Sequence, residues 1–182
     1  MHFLKKKIRI WKNDHAHLVA DEEHRYYKFY GEILENPQGH MYAAFRAKKK
    51  RLFFRTSWDL SRYKYISLYG MGDARTYFLT LQTTSFPQFD LYQMPFTFKT
   101  PGKWETICVP LNAFYLKVKS SEMSKHRFSG IERIQTVGIS LLNPYPGPFE
   151  LYIRWIKTMN EIYNESDTFE LSTEQAAQDI NV

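Results

Sequence analysis

The sequence predicts an all-β protein folded as a β-sandwich, and three observations support this. Aromatic residues make up 17% of the 182 residues, and aromatic side chains fit the half-buried surface of a pleated sheet. Several short stretches alternate apolar and polar residues, which is the pattern of a strand with one buried face. Turn residues separate these stretches, and no strong helical pattern lies between them. We therefore predict eight or nine short strands in one domain.

The central stretch, residues 59–83, carries the clearest strand pattern. Its first half alternates around Ile66 and Leu68, and its second half alternates around Leu79. Gly70-Met71-Gly72-Asp73 lies between the halves, and glycine permits the positive φ angles that short hairpin connections require. The pattern predicts a hairpin of two paired strands joined by a tight glycine turn.

Three strands are expected before this hairpin. Tyr27–Ile33 and Met41–Phe45 have alternating patterns, and Asn36–Gly39 between them has turn composition. Lys48–Arg51 is a basic cluster of the kind usually found in a solvated loop, with a phosphate site as the rarer alternative. Leu52–Thr56 then predicts the third strand.

The segments after the hairpin are more varied. Phe86–Phe98 is aromatic but is interrupted by Pro87 and Pro95, which suit an edge strand or a bend. Trp104–Leu111 predicts a strand, in which Cys108 is expected to serve as a small buried apolar residue. Residues 117–129 have the composition of an exposed, mobile loop.

Two further strands complete the predicted sandwich. Their inward-facing residues are predicted to be Val137, Ile139 and Leu141 in one, and Phe149, Leu151, Ile153 and Trp155 in the other. A proline-rich segment separates them. One core between two sheets is expected to hold Leu79, Leu81, Val109, Ile139 and Ile153.

The expected domain organisation has three parts. Residues 1–25 form a basic segment, residues 26–159 the sandwich, and residues 160–182 a polar tail that is disordered or forms a short helix. A single cysteine excludes an intramolecular disulfide and indicates a reducing compartment. The sequence contains no run of 18 or more apolar residues, so no transmembrane helix is expected.

The net charge is +6 and the pI about 9.3. A solvated surface in a basic compartment explains this excess, and an anionic partner such as RNA or a lipid surface is the alternative.

Several strings resemble the complex I intermediate-associated protein 30 family. The resemblance rests on the pattern of Asp59–Leu81, on Lys103-Trp104, on Val109-Pro110-Leu111 and on Gly147–Leu151, and it extends over Tyr27–Ile156. It implies a galactose-binding-domain-like jelly roll and a non-enzymatic role in assembling respiratory complex I on the matrix side of mitochondria. The implied partners are complex I subunits or other assembly factors, with peripheral membrane association as a further option.

The sequence departs from the family pattern near its start. At His15–Asp21 the paired glycines and the following serine of the family are absent, and His40-Met41 stands where a Gly-Gly-Phe string is common. A partner or ligand surface shaped by these loops is therefore expected to differ in this chain.

No catalytic motif is present, which predicts a protein without enzymatic activity, cofactor or metal. The sequence has no G-x-S-x-G elbow and no P-loop. Gly70-x-Gly72 lacks the third glycine of a dinucleotide site. His15, His17 and His24 have neither a cysteine pair nor an H-E-x-x-H pattern beside them.

A partner surface is expected beside the aromatic segment and the central hairpin. The expected contact residues are Phe86, Phe89, Tyr92, Met94, Asp73 and Arg75. Exposed aromatics and methionine are enriched at interface centres.

Structural roles are the alternative for the same residues. The rings then fold into the core, Asp73 accepts amide hydrogen bonds in the turn, and Arg75 pairs with a neighbouring acid. The same two alternatives, packing within the protein or contact with a partner, apply to four tyrosines, namely Tyr63, Tyr65, Tyr69 and Tyr77.

Assembly by protein binding is the favoured function. A carbohydrate-binding or RNA-binding β-sandwich module is the alternative, although nucleic acid is the less favoured partner.

Overall fold

Two antiparallel sheets packed face to face make up the computed structural model, which describes residues 8–11, 15–34, 42–48, 57–84, 91–117, 123–127, 130–142 and 145–162. Within these residues the strands are β1 (Ile8–Trp11), β2 (Ala16–Asp21), β3 (Tyr26–Ile33), β4 (Tyr42–Lys48), β5 (Tyr65–Gly72), β6 (Tyr77–Thr83), β7 (Leu91–Phe96), β8 (Glu105–Pro110), β9 (Tyr115–Lys117), β10 (Met123–Arg127), β11 (Ile134–Leu142) and β12 (Gly147–Met159). Short 3-10 turns cover Leu111–Ala113 and Ile131–Arg133.

The sheets differ in size. One has seven strands in the order β1-β4-β11-β6-β7-β9-β10, and the other has five in the order β2-β3-β12-β5-β8. Neighbouring strands are antiparallel throughout both sheets. The predicted all-β sandwich is confirmed.

A single apolar core lies between the sheets. Leu79, Leu81 and Ile139 enter it from the seven-stranded sheet, and Val109 and Ile153 enter it from the five-stranded sheet. Each of the five is at most 5% exposed. The predicted core is confirmed, because alternation along each strand does separate an inward from an outward face.

The predicted central hairpin is wrong. β5 pairs with β12 and β8, whereas β6 pairs with β11 and β7 in the other sheet. Residues 73–76 therefore cross from one sheet to the other. A period of two identifies a strand and its buried face, but it does not identify the strand's partner.

The glycines assigned to that turn lie inside β5 and are needed for space. A Cβ on Gly72 would lie 2.6 Å from Cε2 of Phe98, and one on Gly70 would lie 2.6 Å from the carbonyl oxygen of Tyr152. Neither glycine has a positive φ angle. Glycine here allows the close approach of a neighbouring ring and backbone.

Other segments also differ from expectation. β10 lies within residues 117–129, where a loop was predicted, and pairs with β9. β7 lies between β6 and β9, but β9 pairs with it only at Tyr92 and Gln93, so the part of β7 that holds Pro95 is an edge, where proline is tolerated. Pro95 is accommodated there on the exposed side of β7.

Some predicted segments fall partly or wholly outside the described residues. Residues 1–25, expected as a basic segment, include β1 and β2, which pair with β4 and β3. The predicted strand Leu52–Thr56, the tail beyond residue 162 and most of the basic cluster after Lys48 lie outside the described residues.

A bulge at Arg154 changes the face that β12 presents. Ile153 is opposite Gly70 and Trp155 is opposite Tyr69, so Arg154 is the extra residue. After it, Ile156 joins the core and Trp155 is on the outward face with Tyr69. The prediction that Trp155 faces inward is wrong, because one inserted residue reverses the alternation that follows it.

Candidate functional site

An unbroken series of five rings crosses the outward face of the five-stranded sheet. We call it the aromatic strip, and its members in spatial order are Tyr152, Tyr26, Trp104, Tyr69 and Trp155. The rings come from three strands and from the residue just before β8. Successive ring centroids are 5.2, 6.1, 5.3 and 5.6 Å apart, which is the range of favourable aromatic pairs.

The strip follows from alternation and from the bulge together. Phe29 and Leu151 point into the core, so their neighbours Lys28 and Tyr152 point outward from β3 and β12. The bulge at Arg154 then adds Trp155 to the same face. Trp155 is 8% exposed, and the other four rings are partly exposed.

Three cationic side chains lie over the rings of this face. The Lys28 ammonium is 5.1 Å from the ring centroids of both Tyr30 and Tyr152. The Arg154 guanidinium carbon is 4.8 Å from the ring centroid of Trp104 and 5.8 Å from that of Tyr69. Lys157 is 4.2 Å from that of Trp155. These are cation–π distances, which hold both the rings and the charges in place.

The charge of Lys28 is matched within the protein. Its Nζ is 2.6 Å from Oε2 of Glu150, across the β3–β12 pair. The hydrogen bond from Lys28 lowers the pKa of Glu150, and the same bond raises the pKa of Lys28. Both side chains are partly exposed, so the pair contributes little to stability.

Arg154 and Lys157 differ from Lys28 in this respect. In the part of the chain that the structure describes, neither has an acidic partner. Burial lowers the pKa of Lys157, because desolvation disfavours its charged form. The end of the strip nearest Trp155 is therefore positively charged.

The sequence did not single out the strip. Tyr69 was among the tyrosines in question, but Tyr26, Trp104, Tyr152 and Arg154 were not proposed as contacts. The available signal was the Arg154-Trp155-Ile156 string, which places two adjacent apolar residues where alternation allows one. Pairing of β3, β12 and β5 brings the rings together, and sequence spacing does not show that pairing.

The predicted partner surface is dispersed in the structure. Tyr92 is 2% exposed and Met94 packs against the core, both on the inward face of β7. Phe86 and Phe89 lie outside the described residues. Asp73 is hydrogen-bonded to Tyr77, which is opposite Phe96, at the other end of β7 from Tyr92.

Asp73 and Arg75 form the joint between the two sheets. Asp73 Oδ1 accepts hydrogen bonds from the Arg75 amide and the Tyr77 hydroxyl, each at 3.0 Å, and its Oδ2 accepts one from the Glu150 amide at 3.1 Å. Arg75 donates to the carbonyl oxygens of Tyr145 and Pro146. Burial is the main reason that the pKa of Tyr77 is raised, and the nearby Asp73 carboxylate raises it further.

These contacts tie the 73–76 connection to the start of β12. Arg75 Nε is 4.0 Å from Asp73 Oδ2, at the limit of an ion pair. Each side chain is less than one third exposed. Contact of Asp73 or Arg75 with a partner stays a prediction.

The remaining candidates are placed as follows. His24 Nδ1 is 3.1 Å from both carboxylate oxygens of Asp21 in a local turn. Cys108 is partly exposed, and its Sγ accepts a hydrogen bond from Ser67 at 3.1 Å. The expected buried position is wrong, because Cys108 lies opposite Ser67 on the outward face of β8, the edge strand of its sheet.

Among the described residues, no three His, Cys, Asp or Glu side chains gather as metal ligands. No helix in the described ranges has the length and hydropathy needed to cross a membrane.

Comparison with known proteins gives a family and a fold. The profile of the family described as Complex I intermediate-associated protein 30 (CIA30) matches residues 14–153. The Neurospora crassa protein named Complex I intermediate-associated protein 30, mitochondrial, is 29% identical over an alignment of length 145 that covers 75% of this chain. The match covers 52% of that relative, so the chain spans about half its length.

Solved structures with the same fold include a carbohydrate-binding module and two agarases. The Family 11 Carbohydrate-Binding Module of a Clostridium thermocellum cellulase matches with a TM-score of 0.57 and 13% identity, over 88% of this chain and 86% of the module. PfGH50B matches with a TM-score of 0.59 and 12% identity, over 89% of this chain and 23% of that protein. The predicted galactose-binding-like jelly roll is thereby confirmed.

Proposed function

The chain belongs to the complex I intermediate-associated protein 30 family, and from this we propose that it is a non-enzymatic assembly factor for respiratory complex I. Its partners are complex I subunits or other assembly factors, and its location is the mitochondrial matrix, with peripheral contact to the membrane. The mitochondrial relative of Neurospora crassa supports a mitochondrial location. The aromatic strip is the surface that we assign to partner binding.

The observation that supports this surface is the composition of the strip. Interface centres are enriched in tyrosine, tryptophan and arginine, and these residues contribute most of the binding energy where they cluster. Two tryptophans, three tyrosines and Arg154 lie together on one outward sheet face. The cation–π contacts fix their conformations before a partner arrives, which lowers the entropy lost on binding.

Carbohydrate binding is the second candidate function, because a β-sandwich with exposed aromatic rings could bind a sugar. A sugar stacks on an open aromatic face with polar groups around it. In the strip, cations lie over Tyr152, Trp104, Tyr69 and Trp155. Ring faces covered in this way favour a protein partner over a sugar.

Affinity purification of the tagged chain from mitochondria tests the proposal. We expect the wild-type chain to recover complex I subunits, and a Tyr69→Ala, Trp104→Ala double variant to lose most of them. Phe78→Ala, on the outward face of the seven-stranded sheet, is the matched control, since Phe78 alternates with the buried Tyr77 and Leu79. Thermal unfolding of all three proteins shows whether the fold is retained.

Equal recovery by the wild-type chain and the double variant would contradict the role of the strip. Recovery of RNA or glycan in place of complex I subunits would contradict the assembly function.

The aromatic segment that precedes β7 in the sequence is proposed as an additional contact. Phe86 and Phe89 are proposed as further contacts to the partner, while Tyr92 belongs to the core. Phe89→Ala is expected to reduce recovery of complex I subunits with little change in thermal stability. Tyr92→Ala is expected to destabilise the fold by about 3–5 kcal/mol, the range for a truncated buried aromatic residue.

A further inference from the structure

We propose that Arg154 is the centre of a carboxylate-binding site on the aromatic strip, and that the site takes an acidic segment of a protein partner. This inference rests on the proposed function, because it specifies the chemistry of the partner at the same surface. The acceptor is a Glu or Asp side chain of the partner, next to an apolar residue that packs on the rings.

The bulge in β12 places Arg154 for this role. As the extra residue between Ile153 and Trp155, it has no opposing residue on β5. Its side chain is exposed, and its guanidinium lies over Trp104 and Tyr69. Bulges often redirect a side chain in this way at functional sites.

The stacked guanidinium still has its donors available. Arginine packs its flat face on an aromatic ring while its N–H groups point outward in the guanidinium plane, in the fork that matches a carboxylate. Within the described residues, Arg154 makes no hydrogen bond or ion pair. The rings therefore hold an unused bidentate donor in a fixed position.

The charges around the strip favour a protein carboxylate over a polyanion. Lys28 is already paired with Glu150, and Asp21 lies further along the same face, opposite Tyr26. A phosphate chain or an acidic membrane laid across the whole face would meet Asp21 and would find Lys28 already paired, whereas a single carboxylate at Arg154 lies at the cationic end of the strip. Lys157 beside Trp155 provides a second cation near Arg154. An isolated acid beside an apolar residue fits this pattern.

Binding of short blocked peptides tests the site. The probes are a peptide with Glu between apolar residues and the same peptide with Gln, observed through the indole N–H signals of Trp104 and Trp155 by NMR. We expect the Glu peptide to shift the Trp104 signal saturably. The Gln peptide should bind about tenfold more weakly, since a hydrogen bond to a charged group is lost.

Variants of the full chain assign the effect to one side chain. Arg154→Gln should weaken binding of the Glu peptide about tenfold. Arg154→Lys should restore only part of it, because an ammonium lacks the planar fork. Arg62→Gln, an exposed cation in the turn before β5, is the matched control and should bind like wild type. Thermal unfolding should be unchanged in all three.

Equal affinity for the Glu and Gln peptides, or equal affinity of Arg154→Gln and Arg62→Gln, would overturn the inference. So would tighter, Arg154-dependent binding of oligo-uridylate or of phosphatidylserine vesicles at the Trp104 signal. Wild-type recovery of complex I subunits by Arg154→Gln would sink the carboxylate site and leave the assembly function standing. If the chain binds the Glu peptide but recovers no complex I subunits, the carboxylate site stands and the assembly function is contradicted.

Discussion

At the scale of single residues, Asp73 connects the 73–76 crossing to the start of β12. It accepts three hydrogen bonds, from Arg75, Tyr77 and Glu150. Asp73→Ala leaves the buried Tyr77 hydroxyl with a weak 3.4 Å contact to the Glu150 carbonyl oxygen. We expect the free energy of unfolding to fall by about 2–3 kcal/mol in urea titration.

Glu132→Ala is the control for this change. Glu132 is exposed and contacts only the adjacent Arg133 among the ion pairs of the described residues, so its loss should stay within about 0.5 kcal/mol. Equal effects of the two substitutions would refute the structural role of Asp73.

The Lys28–Glu150 pair predicts a pH dependence of stability. The pKa of Glu150 is below its ordinary value of 4.5, so its contribution is present above pH 4.5 and is lost as pH falls through the folded-state pKa. The pKa of Lys28 is above its ordinary 10.5, so its contribution is present below pH 10.5 and is lost as pH rises through its folded-state value.

Glu150→Gln should therefore reduce the loss of stability below pH 4.5, by at most about 1 kcal/mol because the pair is solvent-screened. Lys28→Gln should have the same effect on the acid limb. Chemical denaturation at a series of pH values measures it. An acid limb identical to wild type in both variants would show that the pair is not formed.

At the scale of the strand, the bulge in β12 decides which residues reach the core. Strict alternation would direct Ile156 to solvent, whereas the structure buries it to 1% exposure. Ile156→Ala should cost about 2–5 kcal/mol in the free energy of unfolding, as for other buried aliphatic truncations. A cost below about 0.5 kcal/mol would mean that the alternation continues through Arg154 without a bulge.

Strand positions and buried faces were largely predictable from the sequence. Leu79, Ile139 and Ile153 were assigned to the core from alternation alone, and each is at most 1% exposed. Strand pairing was not predictable, because the 73–76 connection fits a hairpin and a sheet-to-sheet crossing equally well. Gly72 illustrates this ambiguity. A glycine at this position is compatible with a turn, but in the structure it leaves the space that the Phe98 ring occupies.

The candidate site was less predictable than the fold. Its rings are distant in sequence, and β3, β12, β5 and the start of β8 meet only through the sheet order. Tyr26 and Tyr152 become neighbours, with ring centroids 5.2 Å apart, only after that order is known. Alternation identifies outward residues but gives no reason to group them.

At the scale of the whole molecule, the two sheets present different outward faces. The five-stranded sheet carries the aromatic strip with its cations. The seven-stranded sheet carries buried polar residues at its centre, including Thr80, Gln93 and Ser140, where Gln93 donates to Ser140. A fold shared with carbohydrate-binding modules thus shows architecture alone, and the difference between the faces supports the proposed partner surface.

Site-specific photo-crosslinking in mitochondria tests that surface most directly. A photoreactive phenylalanine analogue replaces Val19, which is 50% exposed beside Lys28 on the five-stranded face, or Tyr42, which is 43% exposed on the other face. We predict crosslinks to complex I subunits or assembly factors from position 19 and none from position 42. Crosslinks to such proteins from position 42 alone would contradict the assignment of partner binding to the aromatic strip.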